Sequence, residues 1–319
     1  MAAEKAPQEL RQIERKYRRL QRQAKCDKVR SLSPLILAAA ALLILNVILG
    51  CIYFHRRKQQ ETPTDAILEI DVLDVGQGDA ILLRTDSHAV LIDAGDTGQG
   101  ALVVQMLRDR GVTMLDAVIN SHPHADHIGG MQAVLETISV QALYFPDVPQ
   151  ALLPTTGSYL ELLETAAAQG LSVTVPQCHD TLSLGDAELE FLCVDNSGFE
   201  DLNDCSLGCL VTCGTQKFFF AGDLEAAGEA AFLEAGLVPK VSAIKVSHHG
   251  SNSSSSEAFL AAARPQLAMI SCGAENDYGH PAERCLARLC DAGCAVFRTD
   301  LDGTLELFSN GTKMWLMYG

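Results

Sequence analysis

Apolar positions along the chain follow two periods, and their order predicts an α/β domain from residue 66 onwards. Alternating apolar and polar residues predict strands at 66–73, 80–84 and 88–92, separated by turns short enough for hairpins. Helical periodicity then alternates with short apolar runs. We predict helices at 99–110, 130–138, 159–168, 224–235, 257–264 and 281–292, and strands at 115–120, around 173, and at 188–194, 207–213, 217–221, 243–246, 266–270, 295–298, 304–307 and 314–317. This order is typical of two packed sheets with helices outside.

Residues 35–54 break this pattern, because they are apolar throughout apart from Asn46. A helix of this length spans about 30 Å, the thickness of the hydrocarbon core of a bilayer. We therefore predict one transmembrane helix ahead of the α/β domain. The residues just before Cys51 also resemble the cleavage site of a bacterial lipoprotein. A lipid on Cys51 would likewise hold the domain on the outer face of the membrane.

Basic residues on both flanks of this segment predict its orientation. Ten lie before it and three follow it closely. By the positive-inside rule, residues 1–34 lie in the cytoplasm and the domain at 66–319 lies outside, joined to the membrane by a linker at 55–65. The sequence therefore predicts a single-pass protein of the cell membrane with an extracytoplasmic domain.

Charge divides the chain near the same place. The whole chain has 24 Lys and Arg against 40 Asp and Glu. Residues 1–60 hold 13 of the basic and four of the acidic residues, which leaves 11 basic against 36 acidic residues and a net charge of −25 beyond them. Because contacts to a phosphate backbone need lysine and arginine, this balance argues against a broad nucleic-acid-binding surface.

Nine of the 11 cysteines lie beyond residue 61, where an extracytoplasmic location would favour disulfides. Cys205, Cys209 and Cys213 are four residues apart in an apolar run. On a strand their Cα atoms would lie about 13 Å apart, too far to bond to one another. No pair has the CxxC spacing of a structural zinc site. The pattern favours small buried side chains and leaves any pairing open.

The segment 121–130, SHPHADHIGG, carries the strongest chemical signal in the chain. Within six residues, directly after a predicted buried strand, it holds four side chains of metal-binding type: His122, His124, Asp126 and His127. Imidazole and carboxylate together suit zinc, manganese or iron. One ion could not use all four comfortably, because His127 points away from the alternate residues before it. The spacing therefore predicts two metal ions.

Three other segments place polar side chains at the ends of apolar strands. Asp93 ends the strand in LIDAG, Asp223 ends the strand in FFFAGDLE, and the strand in KVSHHGSN ends at His248 and His249. Proteins of the α/β class build their sites at such strand ends. Asp223 is placed to bridge two cations.

In their order along the chain, the motifs DVGQGDA, LIDAG, SHPHADHIGG, AGDLE, KVSHHGS and YGHP resemble the metallo-β-lactamase superfamily. They are similar in particular to the branch found as the extracellular C-terminal domain of ComEC-type DNA-uptake proteins. The resemblance covers about residues 66–318 and implies an αββα sandwich. Such uptake proteins also carry a DNA-binding domain and a channel of many helices. We predict one membrane helix here, so we do not carry over a role in DNA uptake.

The resemblance implies a dinuclear centre of zinc or manganese. One ion would be held by His122 and His124, the other by Asp126, His127 and His248, with Asp223 as the bridge. Asp126 and Asp223 would be catalytic through the ions they hold. Asp93 would orient a ligand without binding an ion itself.

Further residues are implied around the two ions. His249 and His280 would protonate the leaving group or bind phosphate. Asp79 would hold the glycine-rich turn ahead of it, and Asn203 begins an Asn-x-x-Ser pattern that resembles one of this branch. Members usually supply a further histidine to the first ion, but the sequence offers only His179, which looks misplaced in a turn. A first site richer in oxygen would favour manganese over zinc.

The implied reaction is hydrolysis of a phosphodiester by hydroxide held between the two ions. Short or single-stranded DNA, or a small phosphoester, suits the acidic domain better than long DNA. A hydrolase of the same fold acting on esters, lactones, thioesters or β-lactams is one alternative. A non-catalytic, membrane-tethered binding protein is another. Class B β-lactamases have a cysteine where this chain has Asp223, which favours the phosphodiesterase and glyoxalase-like members.

Overall fold

The computed structural model describes residues 63–319. The predicted transmembrane helix at 35–54, the basic segment at 1–34, Cys51 and most of the linker at 55–65 lie outside the described residues. Of the helices within 63–319, none is both long and apolar enough to cross a bilayer. The anchor, its orientation and the domain boundaries therefore stay predictions.

Strands and helices alternate along the described residues. The strands are β1 (Leu68–Val72), β2 (Ile81–Arg84), β3 (Ala89–Ile92), β4 (Met114–Leu115), β5 (Ala117–Ile119), β6 (Ser139–Val140), β7 (Leu143–Tyr144), β8 (Val173–Thr174), β9 (Thr181–Leu184), β10 (Ala187–Leu192), β11 (Gly208–Cys213), β12 (Gln216–Phe220), β13 (Ala243–Lys245), β14 (Leu267–Ile270), β15 (Ala295–Arg298), β16 (Leu305–Ser309) and β17 (Met314–Tyr318). The helices are α1 (Gly100–Asp109), α2 (Ala125–Ile128), α3 (Met131–Thr137), α4 (Gly157–Ala168), α5 (Ala226–Glu234), α6 (Glu257–Ala263), α7 (Glu283–Asp291) and α8 (Thr299–Asp302).

The first large sheet has eight strands in the order β17-β16-β1-β2-β3-β5-β7-β8. Its first five strands are antiparallel neighbours, as the short turns between β1, β2 and β3 predict. From β3 onwards the neighbours are parallel, because helical segments connect these strands. The strand β16 comes from the far end of the chain and pairs with β1, with Ile70 opposite Leu307.

The second large sheet has seven strands in the order β15-β14-β13-β12-β11-β10-β9. Strands β9 to β12 form an antiparallel meander, and β13 to β15 run parallel to β12 with helices between them. The carboxyl ends of β12 and β13 therefore lie side by side, which places the residues that follow them close together.

Three apolar clusters hold the layers together. The cluster between the sheets includes Ile70, Leu83, Ile119, Phe191, Val211 and Phe218, all buried. A second cluster packs α1, α3 and α4 on the outer face of the first sheet, and a third packs α5, α6 and α7 on the second. This layering confirms the predicted α/β class with two mixed sheets inside and helices outside.

Some elements depart from the hydrophobic pattern. The edge strand β9 and the two-residue strands β6 and β7 were not predicted, because they are too short to show a period. The strand predicted at 115–120 is divided into β4 and β5. The segment predicted as a histidine-rich loop contains the short helix α2. Among residues 63–319 the nine cysteines are unpaired, and Cys205, Cys209 and Cys213 are buried as expected of small apolar side chains.

The two sheets approach each other closely at Gly222, the glycine of the AGD motif. Its φ is +53°, a conformation that favours glycine. A Cβ atom there would lie only 2.8 Å from the Ser121 Cβ and the Ser206 Oγ. The absence of a side chain therefore allows the loop after β12 to approach the loop after β5.

Candidate metal centre

Asp93 anchors the segment that carries the histidine-rich motif. Its carboxylate follows β3 and accepts hydrogen bonds from the Ser121 backbone N–H at 2.8 Å and the Ser121 hydroxyl at 2.6 Å. Asn120 Nδ2 donates to the same carboxylate at 3.2 Å and to the His122 carbonyl at 2.7 Å. The chain leaving β5 is thereby locked in place just before the first predicted ligand.

His127 is completely buried and held from both sides. Its Nδ1 donates to Asp93 Oδ2 at 2.8 Å, which leaves Nε2 facing Asp223 Oδ2 at 3.2 Å. A carboxylate behind an imidazole in this way sets its orientation and tautomer. The sequence expects Asp93 to orient a ligand, and the structure places it behind His127.

Four side chains from different parts of the chain converge on one point. Asp126, His127, Asp223 and His249 each offer one nitrogen or oxygen atom, and these four atoms lie within 4.8 Å of one another. Asp126 and His127 come from α2, in the loop region of the first sheet. Asp223 and His249 follow β12 and β13 of the second sheet. The cluster thus draws equally on both sheets.

His249, rather than His248, is grouped with the carboxylates. His249 Nε2 lies 3.1 Å from Asp126 Oδ2 and 3.3 Å from Asp223 Oδ2, while its Nδ1 donates to the Ser271 carbonyl at 3.0 Å. His248 Nδ1 instead lies 2.8 Å from Glu225 Oε1. Both histidines have positive φ, 49° and 51°, in a tight turn where adjacent side chains diverge. The sequence predicts His248 as the ligand, and His249 as the residue that protonates the leaving group or binds phosphate.

His122 and His124 lie together beside this cluster. His122 Nε2 is 2.9 Å from His124 Nδ1, and the His122 and His127 ring centroids are 4.2 Å apart. Burial, together with the nearby His127, lowers the pKa of His122 well below its usual value. His122 is therefore neutral at pH 7, the state in which an imidazole binds a metal ion.

A buried lysine lies beneath the cluster. Lys245 is the last residue of β13, and its Nζ contacts the Asp79 carboxylate and lies 3.6 Å from Asp223 Oδ1. A lysine within an otherwise apolar strand, just before paired histidines, was the signal for a buried partner. The structure shows that partner to be Asp79, which the sequence expects only to hold a turn.

The charges of the cluster match those of a cation site. Burial alone would raise the pKa of Asp223, but His249, His127 and Lys245 outweigh it and hold that pKa well below its usual range. Burial likewise opposes the charged form of His127, yet Asp223, Asp93 and Asp126 raise its pKa well above 6.5. Protons on the histidines therefore balance the carboxylates, and a divalent cation would displace them. This set of nitrogen and oxygen donors fits zinc, manganese or iron.

A pocket of about 290 Å³ opens above the cluster. Besides the cluster residues, its lining includes Gln77, His124, Asn203, His248, Tyr278 and His280. Asn203 Nδ2 donates to Glu225 Oε1 at 3.3 Å. Within the described residues, His280 Nδ1 is buried with no hydrogen-bond partner. The structure thus brings the predicted His280 and Asn203 to the same opening.

His179 lies away from the cluster, near β10 of the second sheet. Its side chain is exposed and its Nδ1 is 2.6 Å from Glu190 Oε1, on the strand β10. His179 therefore does not join His122 and His124, whose rings contact each other beside the cluster. A larger surface groove between α6 and α7, lined by Arg264 and Arg288 among others, contains none of the predicted site residues.

Comparison with curated proteins places the chain among relatives of ComEC type. It is 29% identical over 257 residues to "ComE operon protein 3" of Bacillus subtilis, covering 75% of this chain and 32% of that protein. It is 31% identical over 245 residues to "Competence protein ComA" of Neisseria gonorrhoeae, covering 74% of this chain and 32% of that protein. The chain therefore matches about a third of the length of each of these competence proteins.

A solved structure and a family model both match this chain. Among solved structures, CmlA, a diiron β-hydroxylase from Streptomyces venezuelae, is similar with a TM-score of 0.53 and 16% identity, covering 78% of this chain and 55% of that one. At this identity the likeness concerns the fold alone. The family model described as "Metallo-beta-lactamase superfamily" matches residues 73–274, more than half of the chain. The chain therefore belongs to the metallo-β-lactamase superfamily, whose fold is that of metal-dependent hydrolases.

Proposed function

We propose that this protein is a membrane-anchored, extracytoplasmic phosphodiesterase that depends on two divalent metal ions, zinc or manganese. One observation carries the proposal: Asp126, His127, Asp223 and His249 converge at one point, all but His127 line the floor of a pocket, and His122 and His124 lie beside them. Asp223 would bridge the two groups of ligands. A carboxylate there, in place of a thiolate, suits hard cations that bind phosphate oxygens.

The residues around the floor would form two sets of ligands, one for each ion. Asp126, His127 and His249 would hold one cation, His122 and His124 the other, and Asp223 both. When bound, the cations would lower the pKa of water and neutralise charge that develops on the phosphate oxygens. Asp93 keeps the His127 ring in place, and the Ser271 carbonyl does the same for His249.

The upper part of the pocket would position the substrate. His280, His248 and Asn203 line it. The buried Nδ1 of His280 has no partner within residues 63–319, so a phosphate oxygen or the leaving oxygen would supply one. We therefore propose for His280 the role that the sequence predicts, and for His249 a role as a metal ligand.

Charge limits the substrate to short or small phosphodiesters. Beyond residue 60 the chain has 11 basic and 36 acidic residues. Lys245, the base nearest the cluster, is buried and paired with Asp79, so it offers nothing to a DNA backbone. Two cations would add about four positive charges, enough for one phosphate but not for a track along a strand.

The location rests on the sequence outside the described residues. The apolar segment at 35–54 is long enough to span a bilayer, and ten basic residues precede it. These features support an anchor with its N-terminus in the cytoplasm and the hydrolase domain outside.

Hydrolysis by the full-length protein in detergent, loaded with manganese or zinc, tests the proposal. We expect turnover of bis(p-nitrophenyl) phosphate, and a loss of more than about 100-fold in Asp126→Ala. Asp86→Ala, at an exposed position in the turn after β2, is the matched control and should keep full activity. A labelled oligonucleotide assayed in parallel separates DNA from small esters.

Two further assays distinguish the alternatives. Turnover of a thioester or of a β-lactam, without turnover of either phosphodiester, would replace the proposal by a carbonyl hydrolase of the same fold. Metal binding without turnover of any of these substrates would favour the tethered binding protein.

A further inference from the structure

Tyr278 lies at the rim of the pocket and presents its ring to solvent. Its exposed fraction is 70%, which is high for a large aromatic side chain. One face of the ring stacks on His280, with centroids 5.7 Å apart and planes inclined by 23°. The covered face is thus supported by the pocket wall, and the opposite face is available to a planar group.

A row of rings connects this tyrosine with the proposed metal ligands. The His280 and His249 rings are 6.3 Å apart and inclined by 29°. His249, His280 and Tyr278 therefore follow one another at similar tilt from the floor of the pocket to its rim. A phosphate ester bound at the floor would extend along this row, past His280 towards Tyr278.

The loop holds Tyr278 in place before any ligand arrives. The Asn276 side chain donates from Nδ2 to the Gly273 and His280 carbonyls at 2.8 and 2.6 Å. Its Oδ1 accepts from the backbone N–H groups of Tyr278 at 3.2 Å and His280 at 2.9 Å. Because the backbone on both sides of the ring is already fixed, a ligand that stacks on the ring would cause little further loss of conformational entropy.

We infer that Tyr278 is a stacking platform for the base of a nucleoside phosphodiester. The inference rests on the proposed function and names its substrate class. Stacking needs no basic residue and accepts any base, so it supplies affinity where the acidic surface cannot. The substrate would then be bound by its phosphate at the floor and by one base at the rim.

Two chromogenic substrates with the same leaving group test this platform. Thymidine 5′-(p-nitrophenyl phosphate) carries a base and ethyl p-nitrophenyl phosphate does not. In Tyr278→Ala we expect KM for the thymidine ester to rise about 5- to 150-fold, the range of one base–aromatic stack, and kcat/KM for the ethyl ester to stay within about twofold. Tyr278→Phe should keep both values.

Tyr318→Ala is the matched control, because this exposed tyrosine also packs on an aromatic ring, that of Phe297, and does not line the pocket. It should leave both substrates unaffected. An equal loss for the two esters in Tyr278→Ala would overturn the platform, since the ring would then serve the leaving group or the fold. Unchanged KM for the thymidine ester would overturn it as well.

A binding measurement separates this inference from the proposed function. Calorimetry can measure how tightly the manganese-loaded full-length protein binds a dinucleoside phosphorothioate of thymidine, and this measurement needs no turnover. If the protein hydrolyses neither ester, the proposed function fails. The platform is then still supported if Tyr278→Ala weakens phosphorothioate binding about 5-fold or more while Tyr278→Phe does not. It is overturned if Tyr278→Ala binds the phosphorothioate as tightly as wild type, or if wild type does not bind it.

Discussion

At the residue scale, the predicted ligands could be recognised because their side-chain types are rare in such density. His122, His124, Asp126 and His127 lie within six residues of sequence, and the structure keeps them together. Which of two adjacent histidines turns towards the cluster could not be predicted. His248 and His249 lie in a turn with positive φ at both positions, where no strand or helix period assigns a direction.

Lys245 has a partner that no local pattern could reveal. Asp79 lies far from it in sequence, after the first hairpin turn, and only the packing of the two sheets brings the carboxylate to Nζ. A buried ammonium next to Asp79 and Asp223 offsets two negative charges that are shielded from water.

Lys245→Met should therefore destabilise the metal-free protein by about 3–5 kcal/mol, because it leaves buried carboxylates without their cation. Urea unfolding of the full-length protein with a chelator present would measure this. Adding Asp79→Asn to the variant should restore part of the loss. Lys313→Met, at an exposed position, is the control and should stay close to wild type. A Lys245→Met variant within about 1 kcal/mol of wild type would contradict this account.

At the element scale, the long periodic helices and the hairpin strands of the first sheet follow the hydrophobic pattern closely. The helix predicted at 99–110 is α1 at Gly100–Asp109, and the strand predicted at 207–213 is β11 at Gly208–Cys213. Short elements at edges escaped prediction. In β9 only one of the four residues is buried, and α8 has a single turn, so neither gives a period that can be counted.

The turn that carries His249 is continued by a serine-rich loop, which is braced from two helices. Glu229 of α5 is buried and accepts hydrogen bonds from the backbone N–H groups of Ser255 and Ser256. Arg288 of α7 donates to the Ser254 and Ser255 carbonyls at 2.7 and 2.9 Å. These hydrogen bonds hold the serine-rich loop in one conformation.

Arg288→Ala should release this brace and weaken metal binding about 10- to 100-fold, as loss of groups behind a ligand commonly does. Competition with a chromophoric chelator would measure the affinity, and hydrogen exchange of residues 247–256 should become faster. Arg284→Ala, on the same helix but exposed, should change neither quantity. Faster exchange without weaker metal binding would show that the loop does not position His249.

At the scale of the whole molecule, the cluster joins the two sheets. Asp126 and His127 come from the first sheet's side, and Asp223 and His249 from the second. No property of either half predicts how closely these pairs approach, because that distance depends on the packing of the apolar layer between the sheets and on the contact at Gly222.

Cations that bind the folded cluster should therefore stabilise the whole domain. At a metal concentration 100 times Kd, the gain is about 2.7 kcal/mol, and for a domain of this size we expect Tm to rise by about 5–10 °C. Thermal unfolding of chelated and manganese-loaded protein would measure this. In Asp126→Ala the shift should shrink or vanish, and an unchanged shift there would place the cations elsewhere.

The pairing of β1 with β16 has a consequence for how the protein is made. These strands lie more than 230 residues apart, and the Asp74 N–H also reaches the Thr304 hydroxyl across this distance. A ribosome must synthesise nearly the whole domain before β1 meets its neighbour on that side, and contacts so distant in sequence form slowly. Until then, β1 is an open sheet edge that other chains could pair with. The nascent polypeptide is therefore most exposed to aggregation after its proposed metal ligands have been synthesised and while its first sheet is still incomplete.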